Sequence, residues 1–101
     1  MTEDTSHLTP ESFVGHYTYH AEDKTFDYKP ANLTLRADGK YVLVYLDNGH
    51  PATREEGRWQ LVRDPDLNVV LDHSGFPVEL KGGHIRLMIN YDSGKWYEKA
   101  G

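Results

Sequence analysis

The stretch KYVLVYLDNG, residues 40–49, sets six apolar or aromatic side chains in succession before an Asn-Gly turn signal. A strand with one face in water alternates apolar with polar residues, and this one does not. Asp38-Gly39 precedes it and Asn48-Gly49 ends it, so it reads as a strand between two turns. If Tyr41, Leu43 and Tyr45 face a core, Val42, Val44 and Leu46 face outward, or the reverse. A bare face of this kind invites cross-β association. It therefore needs a cover: another segment of the chain, a second copy in a homodimer, or a bound partner. The N-terminal turn around Leu8 and Phe13 is the expected cover, ahead of a partner.

The same punctuation continues in both directions. Asp64-Pro65-Asp66, Ser74-Gly75, Gly82-Gly83 and Ser93-Gly94 separate short runs rich in Val, Ile, Leu, Tyr and Trp. Strands are expected at 13–20, 32–36, 40–46, 56–62, 67–72, 77–80, 84–90 and 95–99. Several alternate cleanly, as in Leu67, Val69 and Leu71 or Ile85, Leu87 and Ile89. No window carries a helical period, although Thr9, Pro10 and Glu11 suit the cap, first position and positive end of one short helical turn. Residues 1–8 are polar and read as a frayed end. The expected fold is all-β: an antiparallel meander of about seven to eight strands forming a small barrel or half-barrel. Leu33, Leu35, Leu43, Trp59, Leu61, Val69, Leu71, Ile85 and Leu87 are its expected core.

Length and charge narrow the function. A chain of 101 residues supports one domain with one modest core. A net charge of −5 argues against nucleic acid, which needs a basic face, and fits solubility or attraction to a basic partner. The absence of cysteine removes disulfides, thiolate metal sites and thiol nucleophiles. The first twenty residues hold no basic or apolar region of a secretory signal, and no run suits a membrane-spanning helix, so a cytoplasmic location is expected.

In a meander the connections alternate between two ends. One end then carries the tight turns 37–39, 63–66 and 81–83. The other carries 21–31, 47–55, 73–76 and 91–94, the longer and chemically varied connections. Function gathers on loops held by a rigid scaffold, which favours that second end.

The chain resembles a lipocalin-like small barrel in several short motifs. Gly15-His16-Tyr17 is similar to the Gly-x-Trp that opens the first lipocalin strand, with Tyr in place of Trp. The order of LTLRADGKYVL, EGRWQLV, LNVVLD and IRLMINYDSG is similar to the N-terminal half-barrel of the NlpE-type envelope lipoproteins. The resemblance spans about residues 13–94 and implies a fold. With no lipidated Cys and no Cys-x-x-Cys, it implies neither anchoring nor copper or redox chemistry.

Chemical constellations are sparse. His16 and His20 share a strand face but stand about 13 Å apart, too far to chelate one ion. His50 and His73 fall on loops of one end with Asp47 and Asp92, without a recognisable ligand spacing. A loop carboxylate with a loop histidine is the one acid–base pairing on offer. Glu55 and Glu56 are adjacent on a strand, point to opposite faces and do not form a dyad. Ser74 and Ser93 are accounted for by their turns. The sequence thus presents no catalytic residues, no metal ligands and no cofactor motif. Trp59 has core parity, while Trp96 and Tyr97 face opposite ways, leaving one partly exposed.

These observations favour a non-catalytic protein-binding module, of the kind represented by a small acidic bacterial inhibitor or immunity protein that neutralises a basic toxin. The alternative, which the lipocalin resemblance implies, is a carrier of a hydrophobic small molecule in the barrel interior. The expected partner-binding residues are Asp23, Phe26, Asp27, Tyr28, Asp47, Glu55, Phe76, Tyr91 and Asp92. They set aromatic anchors within an acidic rim.

Overall fold

The computed structural model describes residues 5–22, 30–63, 66–72, 74–90 and 94–100. A four-residue helix, α1 (Pro10–Phe13), leads into eight strands: β1 (Gly15–Ala21), β2 (Ala31–Leu35), β3 (Lys40–Asp47), β4 (His50–Arg63), β5 (Leu67–Leu71), β6 (Ser74–Lys81), β7 (His84–Asn90) and β8 (Lys95–Lys99). Each strand pairs antiparallel with the next, and β8 returns to β1 with Tyr97 opposite Tyr19, closing the barrel.

Two segments expected as loops are strand. Residues 47–55 shrink to a two-residue turn, Asn48-Gly49, with φ of 53° and 82°. Positive φ at both positions matches the twist of the flanking strands, so β4 starts at His50 and pairs with β3 from the first residue. Ser74 and Phe76, placed in a turn by the Ser-Gly signal, pair with Leu71 and Val69 at the start of β6. Pro77 follows where β6 leaves β5 for β7, a place where its missing N–H is tolerated.

β4 changes partner partway along, at what is the corner of the sheet. Up to Arg58 the strand pairs with β3, and from Trp59 it pairs with β5. Gly57 sits beside this point, where a Cβ would meet the Asp72 carboxylate and come within 2.7 Å of Tyr41 Cε1. Asp72 locks the corner: Oδ1 accepts from the Arg58 N–H at 3.1 Å and Oδ2 from the Tyr41 hydroxyl at 3.1 Å.

Inward residues of all eight strands form one cluster, which includes the expected core, with Leu61 partly buried against it. It is more aromatic than expected. Phe13, Tyr17, Tyr19, Tyr41 and Tyr97 are all buried.

The outer face of β3 is not covered by the N-terminal turn, contrary to expectation. Leu8 and Phe13 join the interior cluster instead. Val42 and Val44 are half-buried; their register neighbours are Thr34 and Asn32 on β2, and Glu56 and Arg54 on β4. Arg54 Nε donates to Glu56 Oε2 at 3.1 Å along β4 on that face, setting an ion pair beside the valines.

The N-terminal turn closes one end of the barrel. The Tyr17 hydroxyl donates to Phe13 O at 2.6 Å, Arg63 Nη2 to Leu8 O at 2.8 Å and Lys99 Nζ to Ser12 O at 2.7 Å. Arg63 and Lys99 end their strands beside the tight turns, so α1 stoppers the tight-turn end. Among the described residues, no helix is long and apolar enough to cross a membrane.

Candidate functional site at the open end

With one end stoppered, the inward residues near the other end have less to pack against. A cavity of about 230 Å³ opens there, lined by Tyr41, Leu43, Tyr45, Glu55, Leu71, Ser74, Phe76, Ile89 and Tyr97. Its walls follow from strand parity. Tyr41, Leu43 and Tyr45 of β3 sit opposite Gly57, Glu55 and Thr53 of β4, all on the inward side. Across the opening, Phe76 meets Tyr97 edge-on at 6.1 Å, and Tyr97 meets Tyr19 edge-on at 5.8 Å. These are ordinary aromatic packing distances, so this wall is preformed.

Two departures from core chemistry mark the opening. Ile89 follows Ile85 and Leu87, which are 7% and 0% exposed, but it falls at a register shift between Met88 and Asn90 and is itself 37% exposed while still lining the cavity. It is the one exposed large hydrophobic among the described residues. Glu55 occupies an inward position of β4 and is exposed, with no hydrogen bond or ion pair among the described residues. β4 reaches past the corner with only β3 as its partner, which leaves Glu55 in water on the core side of its own strand.

The electrostatics of the walls agree. Burial raises the Tyr45 hydroxyl above its ordinary range, and the Glu55 charge raises it further. Tyr97 is raised by burial first, then by Tyr45, Tyr19 and Glu55. Tyr41 is pushed up to about 12 by burial, by its hydrogen bond to Asp72 and by the Asp72 and Glu55 charges. Each phenol stays neutral at physiological pH and meets a negative potential.

Of the expected partner-binding residues, Asp47, Glu55 and Phe76 are described, and all three lie at this end. Asp47 stands at the tip of the β3–β4 hairpin opposite His50, while Glu55 and Phe76 line the cavity. Asp23, Phe26, Asp27, Tyr28, Tyr91 and Asp92 lie outside the described residues, as do His73 and Ser93. The sequence reading missed Tyr41, Tyr45, Ile89 and Tyr97, which it treated as strand rather than site. The available signal was inward parity combined with position near the longer connections. No group of three or more metal-ligating side chains gathers among the described residues.

Comparison with protein-family models, with curated proteins and with solved structures finds no match to this chain.

Proposed function

We infer that the protein is a non-catalytic binding module that seats a protein partner on the open end of its barrel. It would act as a small acidic inhibitor, such as an immunity protein that occludes a basic toxin domain. The observation that carries this reading is the asymmetry of the two ends. One is stoppered by α1, while the other holds an aromatic hollow, the exposed Ile89 and the acidic positions Glu22, Asp47 and Glu55. Apolar anchors inside a charged rim are how tight protein contacts divide affinity from steering.

The apolar lining of the cavity is the one observation for a second reading, a lipocalin-like carrier of a hydrophobic small molecule. Its volume of about 230 Å³ falls below the roughly 300–1,000 Å³ of small-molecule sites, and suits a single inserted side chain better.

The test is affinity capture from the native cells. Wild type is expected to retain one protein at fixed stoichiometry. Ile89→Asp and Asp47→Lys should each weaken that complex at least about tenfold, ~1.4 kcal/mol. Lys81→Glu, beside a tight turn, should leave it unchanged. A bound lipid in place of a protein, or a complex sensitive only to Lys81→Glu, would overturn the reading.

A further inference from the structure

We propose that the open-end cavity is a receptor for one arginine side chain of the protein partner. This rests on the reading above and specifies what enters the hollow. Three features of the cavity select the occupant. Its walls are rings, with Tyr41, Tyr45, Phe76 and Tyr97 among the lining residues. Aromatic faces attract cations through their quadrupoles, and guanidinium, being planar and weakly hydrated, also stacks on them.

Among the described residues, Glu55 is the one charged residue lining the cavity, and it has no hydrogen bond or ion pair there. Its charge is felt by the phenols of Tyr41, Tyr45 and Tyr97, which line the same hollow. A carboxylate of this kind accepts the two parallel N–H donors of arginine. Lys95 on β8 is the nearby cation to weigh against this. It does not line the cavity, and it has an interaction of its own.

The third feature is size and shape. The hollow opens to water at one mouth, where Ile89 is exposed, and about 230 Å³ takes a side chain but not a folded segment. The aliphatic stem of an arginine would lie along Ile89 and Leu43 while its head reaches Glu55. A neutral side chain of the same length would gain the stem contact and lose the ion pair.

The experiment uses the intact chain and a defined probe. ¹⁵N-labelled protein is titrated with Nα-acetyl-arginine amide, and in parallel with the isosteric neutral Nα-acetyl-citrulline amide. The arginine probe is expected to shift the amides of Tyr45, Glu55, Phe76 and Ile89 saturably in the millimolar range. The citrulline probe should bind at least tenfold more weakly. Glu55→Gln, a surface change whose fold is checked by its unperturbed spectrum, should remove the difference between the probes. Equal shifts from both probes, shifts unaffected by Glu55→Gln, or no shifts at the mouth would each overturn the proposal. Should the probes fail while partner binding still depends on Ile89 and Asp47, only the arginine assignment falls. Should the partner bind elsewhere, the functional reading falls with it.

Discussion

Tyr41 shows how one side chain serves both fold and site. Its ring lines the cavity, its hydroxyl donates to Asp72, and it packs against Gly57 at the corner of β4. Burial, the bond to Asp72 and nearby carboxylates hold its proton up to about pH 12 in the folded state, while an unfolded tyrosine releases it near 10. The native state therefore binds more protons than the unfolded state between these values, so stability falls as pH rises through that window. Tyr17, Tyr45 and Tyr97 shift in the same direction, all with burial as the first cause. Denaturant midpoints followed from pH 9 to pH 12 should decline steeply above 10 in wild type and less steeply in Tyr41→Phe. A pH-independent midpoint across that range would show that these phenols titrate normally.

At the scale of elements, the β4 corner decides where the barrel opens. β5 ends at Leu71 opposite Trp59, so His50–Gly57 runs beyond it, pairs with β3 alone and leaves Glu55 in water. Gly57→Ala would drive a methyl into the Asp72 carboxylate and the Tyr41 ring. The expected cost is about 1–3 kcal/mol of stability, typical of overpacking, with the amide shifts concentrated at Tyr41, Arg58 and Asp72. A neutral effect in chemical denaturation would mean that the corner is slack.

The corner was not legible in the sequence. Gly57 begins the alternating series with Trp59 and Leu61, and nothing local says that the strand changes partner there. The eight strands and most of the core were legible, because period-two alternation and the Gly-containing turns are local signals. The extension of β4 back to His50 was hidden because HPATREE is polar on both faces, as a strand projecting beyond the core must be. The stopper was not readable either: the expected first strand began at Phe13, whereas Phe13 ends α1 and β1 starts at Gly15, and the turn is held by Arg63 and Lys99 from the far ends of β4 and β8.

For the whole molecule, the central claim is that a barrel closed by its own N-terminus at one end receives a partner at the other. The meander made the separation of ends readable from the sequence, and it placed Asp47, Glu55 and Phe76 at the same end as the structure does. The exposure of Ile89 was not readable, because the register shift between Met88 and Asn90 has no local sequence signal. The most direct measurement is an amide hydrogen-exchange footprint of the complex with the protein that the chain captures. Protection is expected over 43–47, 50–56, 74–76 and 89–90, with exchange at 9–14, 37–39 and 81–83 unchanged. Protection confined to 9–14, 37–39 and 81–83, with the open end exchanging as in the free protein, would contradict the account.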